Sequence, residues 1–286
     1  MTQGFIRSSS PDQCLEDIGH EYFMELLWRS FFQEVEKDER GNILQFKMHD
    51  LAKSIAASNG TTFYSKGEDI HEKTHHVSFD RTFLLSSEIP ISLYKASKIR
   101  TFHLPSESRY KYVGLDESTC NGIISSFKFI RLLDLHKMNI ETIPSSIGKL
   151  WRLSYLDLSN NPIEMLPNSI TRLHNLQTLR LFECPIKQLP KYINKLVNLK
   201  YLEMNKCWHL THMPRGLGQL TKLQTLSKFV MIQNNCLDFR CHSGLNEFNG
   251  LNKLRGTLKI KGLRHGKEFA SKSKDSNMKE KIHLQD

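Results

Sequence analysis

Residues 153–175 read "LSYLDLSNNPIEMLPNSITRLHN", and the same design recurs on both sides of them. "IRLLDLHKMNIETIPSSIGKLWR" starts at Ile130, "LQTLRLFECPIKQLPKYINKLVN" at Leu176 and "LKYLEMNKCWHLTHMPRGLGQLTK" at Leu199, a period of 23 residues with one extra in the fourth copy. Leu133, Leu156, Leu179 and Leu202 share one slot; Leu135, Leu158, Leu181 and Met204 lie two residues on. That alternation predicts a short strand with one inward face. Ile140, Ile163, Ile186 and Leu210 come next, then Ile143, Leu166, Leu189 and Met213, each of the latter directly before a proline (Pro144, Pro167, Pro190, Pro214). Proline brings no amide donor, so the chain is expected to leave the sheet there and return along the outer side. Ile147, Ile170, Ile193 and Leu217, with Leu150, Leu173, Leu196 and Leu220, turn inward on that return.

One copy cannot fold alone. Its seven or eight apolar side chains gain roughly 1.5–3 kcal/mol apiece on burial, while ordering its backbone costs roughly 1–2 kcal/mol per residue. Stacked neighbours must share a core. Asn161, Cys184 and Cys207 occupy one slot between strand and return, with Met138 there in the first copy. A small polar side chain at that corner can satisfy buried backbone groups, so both cysteines are expected to be structural. The pattern L-x-x-L-x-L-x-x-[NC]-x-L is that of leucine-rich repeats, which implies an α/β leucine-rich-repeat solenoid with a curved parallel sheet on its concave face. Degenerate copies flank the regular four. "IRTFHL" (Ile99, Phe102, Leu104) and "VSFD" near Val77 precede them; "LQTLSKFVM" and "LRGTLKI" (Leu254, Leu258, Ile260) follow, separated by "IQNNCLDFRCHSGLNEFNG", expected to be an inserted loop.

Before the repeats the pattern changes. Ser10-Pro11-Asp12-Gln13 is a helix start, and Leu15, Ile18, Tyr22, Phe23, Leu26 and Leu27 form an apolar stripe behind it. "SFFQEV" and "ILQFKM" flank "EKDERGN", a hairpin signal, and Leu51, Ala52, Ile55 and Ala56 fall at helical spacing again. Helix, hairpin and helix predict a partial α+β winged-helix domain. The expected organisation is a partial winged helix over 1–60, a linker with degenerate N-terminal repeats over 61–128, regular repeats over 129–226, and an inserted loop with degenerate C-terminal repeats over 227–286.

Composition narrows the function. The 286 residues carry a net charge of +10, with 39% hydrophobic and 24% charged residues, the balance of a soluble globular protein. No apolar run approaches the roughly 18 residues of a membrane span, and the start lacks a signal peptide's apolar core, so a cytoplasmic location is expected. The late lysines and arginines are interspersed with acidic and apolar residues, as on a solvated face. The helix before the hairpin offers Arg29 as its only firm cation, against nucleic-acid binding. Cys207, His209 and His212, and likewise Cys236, Cys241 and His242, fall short of a four-ligand zinc spacing. No metal site and no catalytic constellation is expected, so the chain is not read as an enzyme.

"MTQGFI", "CLEDIGHEYFMELLWRSFFQEV" and "FKMHDLAKSIA", followed by "THHVSF" and then the repeats, resemble the plant nucleotide-binding leucine-rich-repeat disease resistance proteins, coiled-coil class. "GLNEFNGLNKLRGTLKIKGL" and "KEKIHL" look like a later part of that family's repeats. Met48-His49-Asp50 matches its MHD motif. The resemblance implies that His49 lies beside the β-phosphate of ADP and helps hold a switch closed. A helix N-terminus beginning at Leu51, with Asp50 as its cap, would favour an anion there. The sequence contains no G-x-x-x-x-G-K-[ST] phosphate loop. No cofactor is therefore expected in this chain; ADP or ATP is expected in a full-length relative, where Met48, His49 and Asp50 would form one half of the site. The family's upstream modules would lie before Met1 and further repeats after Asp286, as in a fragment or truncated product.

Residues between the inward leucines are expected on the concave surface: Leu132, Asp134 and His136; Tyr155, Asp157 and Ser159; Thr178, Arg180 and Phe182; Tyr201, Glu203 and Asn205. Adjacent tyrosine, phenylalanine and arginine suit a protein-binding surface. The implied partner is a protein: a pathogen effector, a guarded host protein, or the receptor's own nucleotide-binding module. Two alternatives stay open. One is a stand-alone repeat adaptor or decoy without a switch, the other a winged-helix DNA binder.

Overall fold

The structure is a computed structural model and describes residues 15–29, 32–37, 43–48, 61–64, 70, 72, 74–79, 91–103, 115–231, 244–262 and 284–285. The repeats form a parallel sheet of eight strands in chain order: β3 (Thr61–Tyr64), β4 (His76–Phe79), β5 (Thr101–His103), β6 (Leu132–Asp134), β7 (Tyr155–Asp157), β8 (Thr178–Arg180), β9 (Tyr201–Glu203) and β10 (Thr225–Leu226). Registers step by one repeat, with Leu133 beside Leu156, Leu156 beside Leu179 and Leu179 beside Leu202. Every leucine, isoleucine and methionine of the six repeat slots is buried, as are the starting residues Ile130, Leu153, Leu176 and Leu199. Each coil therefore shares its apolar contents with the next, as its inability to fold singly requires.

The prolines act as expected. Pro144 and Pro167, extended at φ −66°, precede short 3-10 turns over Ser145–Lys149 and Asn168–Arg172; similar turns cover Ile193–Lys195 and Leu217–Gln219. The corner after each strand holds a feature the sequence hides. Lys137, Asn160, Glu183 and Lys206, one per coil, all have φ between 56° and 61°. A left-handed non-glycine residue is costly by roughly 1–2 kcal/mol. The corner is held by the slot beside it. Asn161 Nδ2 donates to the carbonyls of Leu135 and Leu158, both at 2.8 Å, and its Oδ1 accepts from Ile140 N at 3.0 Å. The Cys184 and Cys207 thiols donate to Leu158 O and Leu181 O at 3.1 and 2.9 Å. Burial pushes both thiols up to about 11, so they remain protonated donors. A second ladder on the outer side joins Asn175 Nδ2 to Trp151 O and Asn198 Nδ2 to His174 O, each at 2.8 Å.

Away from the regular coils, helices take over the outer side. α2 (Ile91–Lys95) and α3 (Glu117–Ser126) lie within the segment expected as linker and degenerate repeats. Cys120, Ile123, Ile124 and Phe127 are buried at helical spacing, and Phe127 packs on Phe102 with ring centroids 5.7 Å apart. Asp116 caps α3 by accepting from Thr119 N at 2.7 Å. Thr61–Tyr64, read as linker, pairs with β4 and extends the sheet.

The far end corrects the inserted-loop expectation in part. Leu245–Gly250 is a 3-10 turn, with Leu245 and Phe248 buried and Phe248 packed tilted against Phe229, ring centroids 4.7 Å apart. An apolar residue every third position places both on one side of such a turn, so this stretch is the outer part of another coil. The remainder of that expected loop, residues 232–243, lies outside the described residues. Two glycines permit the close packing here: a Cβ on Gly250 would lie 2.0 Å from Gly218 O. β11 (Lys228–Val230) pairs in parallel with β13 (Lys259–Lys261), and β12 (Gly256–Thr257) with β14 (Leu284–Gln285).

The N-terminal segment contains α1 (Leu15–Trp28) and an antiparallel hairpin of β1 (Phe32–Lys37) and β2 (Ile43–Met48), as the sequence predicts. Phe23 stacks on Phe32 at 5.2 Å. The apolar stripe of α1 is unevenly covered: Ile18 is buried and Phe23 and Leu27 half-buried, whereas Tyr22 is 54% and Leu26 37% exposed.

Candidate protein-recognition surface

Strands β6 to β9 point their alternate residues at the concave side, where the expected surface residues lie. They are not equivalent. Asp134, His136, Asp157 and Ser159 are buried among their neighbours, while Leu132, Tyr155, Thr178, Arg180, Phe182, Tyr201, Glu203 and Asn205 are half-exposed. Asp134 and Asp157 are tied to neighbouring coils by hydrogen bonds that no single repeat reveals.

Asp134 is the hub at one end. Its Oδ2 faces His103 Nδ1 at 2.8 Å, and its Oδ1 accepts from His136 N at 3.1 Å and faces His136 Nδ1 at 2.6 Å. Burial alone would raise its pKa, but the hydrogen bonds from His103 and His136 outweigh it and hold the carboxyl down at about 2. Arg180 is the hub of the next coils. It donates to Asp157 Oδ2 at 2.9 Å and Glu203 Oε2 at 2.8 Å, tying three consecutive coils together. Burial opposes its charge, yet Tyr155, Asp157 and Glu203 raise its pKa further. Tyr155 donates to Asp157 Oδ2 at 3.3 Å, and burial pushes its phenol up to about 12. Tyr201 donates to Gln224 Oε1 at 2.9 Å.

Leu132, Asp134, His136, Tyr155, Asp157, Ser159, Arg180 and Phe182 converge on one depression of about 470 Å³. Thr178, Tyr201, Glu203 and Asn205 are not among its lining residues. His103, Lys137 and Asn160 also line it and were missed from the sequence. The register offers the signal: Thr101 pairs with Leu132, which puts His103 in the slot of Asp134.

Other expected sites fall elsewhere. Met48 ends β2, and His49 and Asp50 lie outside the described residues. The Cys207 thiol points inward to Leu181 O while His209 is exposed; Cys236, Cys241 and His242 lie outside the described residues. No helix among the described residues is long and apolar enough to cross a membrane.

The family profile of the leucine-rich repeat region matches residues 115–283, and the chain belongs to that family. The profile of the disease resistance protein winged helix domain matches residues 1–56, so the chain carries, in order, the winged-helix and repeat segments of the plant nucleotide-binding leucine-rich-repeat resistance proteins. It is 36% identical over 277 residues to a disease resistance protein of Arabidopsis thaliana, covering 94% of this chain and 19% of that one. Against disease resistance protein RGA1 of Solanum bulbocastanum it is 34% identical over 158 residues, covering 54% of this chain and 13% of that one. The chain thus spans less than a fifth of these relatives' length. Among solved structures it is similar to an LRR protein of Leptospira interrogans (24% identity, TM-score 0.50, 69% of this chain and 46% of that one). It is also similar to the leucine-rich repeat domain of the type III effector XopL (21% identity, TM-score 0.50, 71% and 68%). These two likenesses show the solenoid fold alone.

Proposed function

We propose that the chain serves a plant defence receptor of the cytoplasm, its repeats recognising a protein and restraining the receptor's own nucleotide-binding module. It acts by binding and not by catalysis. The observation that carries this reading is the succession of a resistance-protein winged helix over 1–56 and repeats over 115–283, with a concave ribbon that presents Tyr155, Arg180, Phe182 and Tyr201 half-exposed. Aromatic and arginine side chains of that kind dominate interface energetics. The partner is a pathogen effector, a guarded host protein or the receptor's nucleotide-binding module.

Met48, His49 and Asp50 belong to an ADP-contacting half-site whose phosphate loop is not in this sequence. This chain alone is expected to show no saturable ADP or ATP binding by calorimetry; micromolar binding would overturn the half-site reading. In a receptor that supplies the phosphate loop, His49→Ala is expected to speed ADP release, because one charge-assisted hydrogen bond shifts an equilibrium about 10- to 100-fold. The recognition role is tested in the same receptor by a Tyr155→Ala, Phe182→Ala, Tyr201→Ala variant. Loss of the response to its elicitor, or spontaneous cell death from lost restraint, is expected. A receptor that stays both quiet and fully responsive rejects the concave surface.

A further inference from the structure

Two polar atoms on the floor of the concave depression have no hydrogen-bond partner: His136 Nε2 and Ser159 Oγ. Their residues are 8% and 4% exposed. An orphaned buried polar atom costs about 1–3 kcal/mol, and native structures keep few of them. The rest of each residue is firmly placed. His136 is anchored through N and Nδ1 to Asp134, and Ser159 N donates to Asp157 Oδ1 at 2.9 Å. Lys137 N donates to Ser159 O at 2.9 Å, so the two residues sit on adjoining coils of one sheet, about 4.8 Å apart in strand spacing. Both residues line the same depression, so one incoming group meets the two together.

Its chemistry follows from the donors and charges around it. Asp134 is ionised and can only accept, so the proton of the His136 ring sits on Nδ1. In the neutral ring Nε2 then presents a lone pair and needs a donor. Ser159 Oγ accepts as well as donates. The charged groups facing the space are Asp134 and Asp157, with Arg180 and Lys137, and Glu203 beyond Arg180. Arg180 is already engaged by Asp157 and Glu203, and His103 by Asp134. A carboxylate entering would meet fixed carboxylates and a lone pair. An N–H-bearing cation would meet the acceptors Nε2, Oγ, Asp134 and Asp157, with Arg180 held by Asp157 and Glu203 and Lys137 as an opposing charge. Tyr155 and Phe182 flank the opening with apolar faces for an aliphatic stem. The Phe182 ring already carries one cation, Lys206 Nζ at 5.0 Å from its centroid.

We propose that this depression receives a basic side chain, lysine or arginine, of the partner polypeptide, with His136 Nε2 and Ser159 Oγ as its receiving atoms. The proposal rests on the concave face being a protein-recognition surface and names what that face selects.

The test uses the full chain labelled with ¹⁵N-histidine at mildly alkaline pH. His136 Nε2 is followed by NMR during titration with acetyl-Ala-Lys-Ala-amide, its arginine counterpart, and glutamine and glutamate counterparts. The lysine or arginine peptide is expected to give a saturable shift with a Kd of about 1 mM, the weak affinity of a single anchoring side chain. The glutamine peptide is expected to bind about tenfold more weakly and the glutamate peptide not at all. Ser159→Ala, which removes only a hydroxyl, is expected to weaken the basic peptide about tenfold. His136→Phe is expected to abolish its binding by calorimetry. A silent Nε2 with both basic peptides, equal binding of the glutamate peptide, or undiminished binding to Ser159→Ala overturns the proposal. Should the receptor lose its response through the Tyr155, Phe182 and Tyr201 variant while Nε2 stays silent, concave recognition stands and this pocket falls.

Discussion

The regular coils and the N-terminal helix-hairpin are built from similar apolar fractions, yet they use them differently. In the coils every slot of the leucine frame is buried, and corner carbonyls meet Asn161, Cys184 or Cys207. In α1 the stripe buries Ile18 but leaves Tyr22 and Leu26 exposed, and Trp28 beside it is 78% exposed. Helical spacing alone does not secure burial. It needs a neighbour of matching shape, which a repeat supplies in its own next copy.

The sharpest way to break this contrast is to cut one side chain from each region. Leu179→Ala is expected to destabilise by about 2–5 kcal/mol in urea unfolding, since Leu179 is wholly buried between coils. Tyr22→Ala is expected to change stability by about 0.5 kcal/mol or less. Comparable losses at both would place α1 in the same cooperative core.

A smaller effect is expected at the corner. Asn161→Ala strands the Leu135 carbonyl and the Ile140 amide in a buried place, while Leu158 O keeps the Cys184 thiol; a loss of about 2 kcal/mol is expected, the low end of the cost of two unsatisfied groups. Cys184→Ala leaves Leu158 O still bonded to Asn161 Nδ2 at 2.8 Å and is expected to lose less. Equal losses would mean that the slot acts by volume and not by hydrogen bonding.

Acid distinguishes the regions next. The folded-state pKa of Asp134 lies below its ordinary 3.8, at about 2, so its contribution is complete above pH about 4 and fades as pH falls towards about 2. That difference corresponds to about 2 kcal/mol. Asp134→Asn is expected to remove this part of the acid dependence; an unchanged acid slope would mean that the two histidines do not hold the carboxylate. The smallest effect concerns the left-handed corner. Lys137→Asn is expected to stabilise by about 0.5 kcal/mol, because asparagine tolerates φ 56° better than lysine.

Legibility followed the repeat. Leucine spacing alone located the strands, the proline exits and the inward return. The coils near β3 to β5 lost that frame. α3 buries Cys120, Ile123, Ile124 and Phe127, a helical stripe invisible to a search for alternating leucines. Three of the four left-handed corners carry lysine or glutamate, which give no glycine-like signal; only Asn160 does. At the concave site, alternation located the residues but could not say which were already engaged. The partner of Asp134 is His103 in a degenerate coil, and Arg180 takes partners from the coils on either side. Such pairings depend on three-dimensional register between copies.

Arg180 fastens three consecutive coils of the arc. One guanidinium grips a carboxylate on each flank, like a clasp across three links of a bracelet, so opening the curve means breaking charged contacts in two places at once. A partner of the kind proposed above would therefore meet side chains already tethered at Asp157, Arg180 and Glu203.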